Sequence, residues 1–335
     1  MVRSLRPNLI FATCLILGFA LFAYLARAYG PQALAILALN PSGPFAASFV
    51  LSAVATVLLL SWRWGFVMGG RRSPIRLWRL ALFRSAAHTL AVLVPSGKLG
   101  GDPLRAWLAT RSKVSAGRAI AGVAVDRTLE IGSSVPFSVF FAVLLLQHGV
   151  PQLAHALVSV LIGSLAFGIG VVIVVRRLRK GRGLVSSLLR NTRLSRLSVI
   201  GSSIPVAEDA ESAVVELVAR RRRMAIAFGV GLVANLLVIL EFILLLKAFG
   251  LPSDTTAVVA AIFATGAAHM LPVPGGVGVI EGAQIWIFHT LGYPAEVGLA
   301  VGLAVRAREL LWMAPGVAVL FLDPLGSPLR RLRKD

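Results

Sequence analysis

Carboxylates and guanidinium groups lie inside stretches of this chain that are otherwise apolar, and they recur at helical spacings. Asp126 and Glu130 are four residues apart and share one helix face, while Arg127 and Glu130, three apart, can pair. Arg306 and Glu309 repeat the three-residue spacing, with Arg308 beside them. Asp102 and Glu281 each end a proline- and glycine-rich interruption of an apolar run. An ionisable side chain in such a setting is costly unless it is paired or meets a ligand, which makes each of these a binding or proton-handling candidate. The carboxylates can hold a cationic amine or take up protons, and the arginines can hold a phosphate. Ion pairs that only hold helices together are the alternative at both spacings. Arg63, Arg84 and Glu241 are more weakly placed and are expected near interfaces. His88 and His269 precede an interruption by five to seven residues and are read as satisfied or interfacial histidines.

Other chemistry would leave marks that are absent. There is no H-E-x-x-H zinc pair, no G-x-S-x-G nucleophile elbow and no Walker A loop, so hydrolytic metal chemistry, acyl transfer and ATP hydrolysis are not expected. Cys14 is the only cysteine, which rules out an internal disulfide and gives no hint of a metal cluster. No cofactor and no metal is expected.

The two interruptions echo each other. Pro95-Ser96-Gly97-Lys98-Leu99-Gly100-Gly101-Asp102 and Pro274-Gly275-Gly276-Val277-Gly278-Val279-Ile280-Glu281 both place a glycine two residues, and a carboxylate seven residues, after a proline. Breaking a helix inside hydrocarbon strands backbone N–H and C=O groups, which is tolerated only where the break is buried in protein or lines a wet cavity. Pro95, Gly97, Gly100 and Gly101 would shape the first bend, and Pro274, Gly275, Gly276 and Gly278 the second. Asp102 before Pro103 reads as a helix N-cap with proline at the first helical position. The N-terminus of that short helix favours an anion, and Arg105 one turn on can add a fixed donor. Lys98 either snorkels to the surface or contacts a head group, and it has no basic counterpart at Val277.

The elements that must position these residues are membrane helices. Of 335 residues 57% are hydrophobic and only 14% charged, with mean hydropathy +0.83, so an all-α polytopic membrane protein is expected, one integral domain over 1–335. Six segments are long enough to cross about 30 Å of hydrocarbon: Leu9 to Ala28, Phe45 to Met68, Ala119 to Leu146, Leu153 to Val175, Met224 to Leu246 and Val297 to Leu322. The first is longer than a signal-peptide core and is read as a retained helix. Leu80 to Val94 and Thr256 to Leu271 each run into an interruption, after which Pro103 to Leu108 and Gly282 to Leu291 turn back. These are read as two re-entrant hairpins.

The formal charge of +20 is concentrated beside the spans rather than in a folded basic domain, so an anionic leaflet is a better partner than nucleic acid. With re-entrant hairpins, Lys and Arg collect on one side, leaving only Arg27 and Lys247 on the other. The positive-inside rule then puts both termini in the cytoplasm, in a plasma or inner membrane. Three spans between the hairpins give their mouths opposite sides, the geometry of an inverted repeat with a site at the repeat interface. Residues 176–223 read as a basic cytoplasmic linker containing an amphipathic helix after Pro205, able to lie on anionic lipid.

Gly97 to Asp102 with Arg105, the Asp126-Arg127 pair and the run Leu271 to Gly282 resemble the lysylphosphatidylglycerol synthase transmembrane-region family, also described as flippase-like. The resemblance covers nearly the whole chain. It implies movement of a lipid between leaflets: an anionic or aminoacylated phospholipid, a glycolipid or a hopanoid. Because the chain stops at Asp335 without a soluble aminoacyl-transferase domain, it implies translocation rather than synthesis. Lys98, Asp102, Arg105, Asp126, Arg127, Glu130, Glu281 and Arg306 are then the expected substrate-contacting residues. Two alternatives remain: an intramembrane lipid-modifying transferase using Asp102 or Glu281 as base, and a non-catalytic partner of a lipid-synthesis enzyme.

Overall fold

The computed structural model describes residues 5–39, 41–70, 73–94, 100–148, 154–191, 203–271 and 273–322. Within them the chain is helical, with no strand. Long apolar runs give α1 (Leu5–Leu39), α2 (Gly43–Gly69), α5 (Ala116–Gln147), α6 (Ala154–Arg179) and α9 (Arg221–Ala248). Among the described residues these five are long and apolar enough to cross a membrane. The sixth expected span is α12 (Ala295–Leu322), equally long, with Arg306, Arg308 and Glu309 in its middle. Pro31, Pro136 and Pro315 sit within α1, α5 and α12. A continuous helix is still formed around each, because neighbouring helices can re-satisfy the freed carbonyls.

The remaining elements are shorter. The order α2, α3 (Leu77–Leu93), α4 (Asp102–Thr110), α5 is matched in the second half by α9, α10 (Thr255–Ala268), α11 (Val279–Thr290), α12. In each half a long helix is followed by a short one, an interruption, a second short one and another long one. The two units interlock: α2 packs along α9, and α3 lies on α12. Asp254 caps α10, accepting from the N–H groups of Thr256 (3.0 Å) and Ala257 (3.1 Å). Buried Gln284 on α11 donates to Ala261 O and Thr265 Oγ1 on α10, both at 2.9 Å, tying the arms of the second hairpin together.

The two interruptions differ in how their glycines are used. Gly101 has ordinary helical φ, but a Cβ there would stand 2.0 Å from Ala87 O, so its missing side chain lets α4 start directly against α3. Pro274–Gly276 forms a single 3₁₀ turn with Gly275 and Gly276 at positive φ, and Gly278 has φ 75°. A Cβ on Gly278 would come 2.4 Å from Gly18 O, so the second interruption rests on the backbone of α1.

The capping expectation for Asp102 is corrected. The N-cap is Gly101, and Asp102 opens the first turn without a side-chain cap bond, because its carboxylate is drawn to Arg105 and Arg127 instead. Pro95, Gly97 and Lys98 lie outside the described residues. In the basic linker, α7 (Val185–Asn191) and α8 (Ser203–Ala219) are helical. The latter is not free: it packs on α5, with Leu217 fully buried.

Candidate functional site

Asp126 is the centre of the first charged cluster and has no solvent exposure. Its Oδ1 accepts from Arg63 Nε of α2 at 2.8 Å, and its Oδ2 from Arg84 Nη1 of α3 (3.2 Å) and Arg105 Nη2 of α4 (2.6 Å). One turn on, Glu130 accepts from Arg84 at 2.6 Å and Arg127 at 2.9 Å. Asp102 closes the group, 3.4 Å from Arg105 and 3.7 Å from Arg127. The Arg105 guanidinium also lies 4.4 Å from the ring centroid of buried Trp64, a cation–π contact that gains strength where water is excluded. Among the described residues four guanidinium groups thus meet three carboxylates, leaving one positive charge in excess. Arg63 is wholly buried, and among the described residues neither its Nη1 nor Arg105 Nε has a hydrogen-bond partner. A buried donor left unmade is expensive, so it favours an incoming acceptor.

The second half carries its own cluster. Glu281 is fully buried and binds Arg306 through both oxygens, at 2.6 and 3.1 Å. Arg306 also donates to the carbonyls of Gly275 and Gly276, the latter at 2.6 Å, and to Glu309 at 3.2 Å. Orphaned carbonyls of a broken helix are thereby satisfied by one planar five-donor group. Glu309 also meets His269 at 2.5 Å. Buried Glu241 on α9 accepts from Arg308 at 2.9 Å and from Trp312 Nε1 at 3.3 Å.

A cavity of about 510 Å³ lies between the halves. Arg63, Arg84, Arg105, Arg127, Asp102 and Glu130 face it from the first half, His269, Arg308 and Trp312 from the second, and Val57, Leu60, Ile131 and Val238 supply apolar wall. Its volume is in the range of small-molecule sites. Glu281 and Arg306 are absent from this lining. Of the expected site residues, the structure therefore gathers Asp102, Arg105, Arg127 and Glu130 at the cavity, puts Asp126 behind them as their anchor, and sets Glu281 and Arg306 apart as the brace of the second bend. The expected pairs Arg127–Glu130 and Arg306–Glu309 are both present.

Arg63, Arg84 and Glu241 correct the expectation of interfacial positions, since all three are buried in ion pairs. The signal that finds them is the cost of a charge in an apolar helix, which demands a partner wherever one occurs. Among the described residues no three His, Cys, Asp or Glu side chains group as a metal site.

Fold and site together define an all-α, multi-pass membrane protein whose two matched helical units enclose a shared polar cavity. Residues 9–316 match the model of the lysylphosphatidylglycerol synthase TM region, and the chain belongs to that family. No curated protein matches it.

Proposed function

We propose that the chain is a translocase that carries a lipid head group bearing a phosphate between leaflets, through the cavity between its two interrupted helical units. The observation that carries this reading is the lining of that cavity among the described residues: five arginines, Arg63 and Arg105 each with an unspent buried donor, beside apolar walls. Guanidinium groups suit phosphate because their fork of donors matches two oxygens at once. The acyl chains would stay in the bilayer while the head group passes. Re-entrant hairpins opening to opposite sides would give the site alternating access, as in inverted-repeat transporters. Family membership supports a lipid as cargo, with lysylphosphatidylglycerol, other anionic phospholipids and glycolipids as the first to try. A separate lipid-synthesis enzyme would supply the cargo to a plasma or inner membrane in which both termini face the cytoplasm.

In this reading the chain is not an enzyme. The carboxylates named as bases in a transferase mechanism, Asp102 and Glu281, are both engaged in ion pairs with guanidinium groups.

Reconstitution in liposomes with labelled phosphatidylglycerol, its lysyl ester and a glycolipid tests the proposal. Wild-type protein should speed leaflet exchange of at least one of them. Arg127→Gln, at a partly exposed cavity position where folding should survive, should slow it about tenfold or more through the lost charge-assisted contact. Equal rates for wild type and Arg127→Gln with every lipid would sink the reading. Product formation from a soluble donor and lipid would replace it with the transferase.

A further inference from the structure

Where α2 ends and α9 begins, four consecutive arginines, Arg220 to Arg223, line an open cavity of about 530 Å³ together with Phe66, Gly70 and Ile226. It shares no lining residue with the cavity between the halves. Protein contacts hold the basic run in place. The helix before it, α8, is docked on α5, and Arg223 donates to Val67 O at 3.4 Å with its guanidinium 5.9 Å from the ring centroid of Phe66. Gly70, at φ 69°, leaves room for that guanidinium, since a Cβ there would stand 2.6 Å from its Nη2.

The protein does not balance the charge it gathers here. Arg118 of α5 adds a fifth guanidinium, donating to Met68 O at 3.0 Å. Among the described residues Glu216 is the one carboxylate paired with this group, 3.0 Å from Arg220 and 3.6 Å from Arg118. Arg221 and Arg222 are exposed and meet no carboxylate among the described residues. The first turn of α9 also has neither an acidic residue nor a side-chain cap, and positive charge at that end opposes the helix dipole. An anion in the cavity relieves both the mutual repulsion and the opposed dipole.

We propose that this cavity binds the phosphate of an anionic phospholipid, at a site separate from the one through which cargo passes. Guanidinium forks fit phosphate oxygens two at a time. The surroundings favour a lipid over a free anion. Phe66 stacks on Trp62 with ring centroids 4.8 Å apart, and Trp62 and Ile226 are exposed, so apolar surface for acyl chains adjoins the basic end. Basic pockets between membrane helices hold lipid head groups in this way. A phosphate shared by Arg221, Arg222 and Arg223 would fasten the start of α9 to the end of α2, which Arg223 already reaches.

The test uses the full chain in phosphatidylcholine nanodiscs containing a small share of phosphatidylglycerol that carries a photoactivatable diazirine on its acyl chain. After irradiation, the labelled peptides are mapped by mass spectrometry. Phosphatidylglycerol should label the peptides containing Phe66 and Ile226 at least about tenfold more than phosphatidylcholine bearing the same diazirine. Arg221→Gln/Arg222→Gln, at exposed positions where folding should survive, should remove that excess. Arg177→Gln/Arg182→Gln, which takes the same charge from the linker, should keep it. Equal labelling by the two lipids, an excess that survives Arg221→Gln/Arg222→Gln, or an equal loss in the linker variant overturns the proposal. Displacement of the lipid by millimolar inorganic phosphate at constant ionic strength also overturns it, by making the cavity a free-anion site. Arg127→Gln should label as wild type does, so the outcome is separate from that of the transport assay.

Discussion

Asp126 has three arginines from three different helices on its two oxygens and no exposure to water. Removing its charge leaves buried guanidinium groups uncompensated, which costs about 3–5 kcal/mol in comparable buried pairs. Asp126→Asn should therefore lower the thermal unfolding temperature in detergent sharply, whatever lipid is present, whereas Arg127→Gln should leave it nearly unchanged. Stability and transport thus separate the anchor from the cavity residues. Asp126 was legible as a charge in an apolar run, and its helical spacing to Glu130 was legible too. Its partners Arg63 and Arg84 were not, because they lie 63 and 42 residues away and meet it only once α2 packs against α5 and α3 against α2. Local spacing reports pairs within one helix and is silent on pairs between helices. Glu281 shows the same limit: its need for a partner follows from its setting, but the choice of Arg306, 25 residues on, follows from the folded hairpin.

At the scale of elements, glycines decide how closely the interruptions can dock. Gly278→Ala would add a side chain at φ 75° and within 2.4 Å of Gly18 O, so strain and collision act together. The variant should lose well over 1 kcal/mol, seen as earlier thermal unfolding, while Gly163→Ala, with open space around it, should be neutral or slightly stabilising. Glu211 on α8 governs a second junction. Burial pushes its carboxyl group up, but the Ser186 hydroxyl and the N–H groups of Val185, Leu184 and Ser186 outweigh that and hold it below its ordinary value of 4.5. A folded value below the unfolded one gives stabilisation that is present above pH 4.5 and lost as pH falls through the lowered value. Spin labels on Leu188 and Ser212, in a Cys14→Ser background, should report a narrow distance at neutral pH and a broad one in acid. Glu211→Gln should broaden it at neutral pH. The amphipathic helix was legible from its charge order, since acids precede its apolar stripe. Its docking on α5 was not, because an apolar stripe does not reveal whether lipid or protein covers it.

For the whole molecule, hydropathy located the long helices to within a few residues except at the end of the first, which runs past Ala28 to Leu39, and α12 is set apart from the others by the three charges at its middle. Sidedness is a property of the complete chain. Cysteines introduced at Ser187 and Ser253 in a Cys14→Ser background flank a single crossing by α9, so an impermeant maleimide should label the first only from the cytoplasmic side and the second only from outside. Labelling of both from one side would refute the topology. One contact also bears on how the chain is made. The backbone of α1 rests on Gly278, and α1 packs chiefly on α11, α12 and the turn before them, all of which belong to the last quarter of the sequence. Synthesis delivers α1 to the bilayer before these neighbours, which arrive some 250 residues later, at least about ten seconds on at ordinary translation speed. During that interval α1 lacks the neighbours it packs on most, and the second interruption acquires its seat only when segments some 250 residues apart in the chain meet.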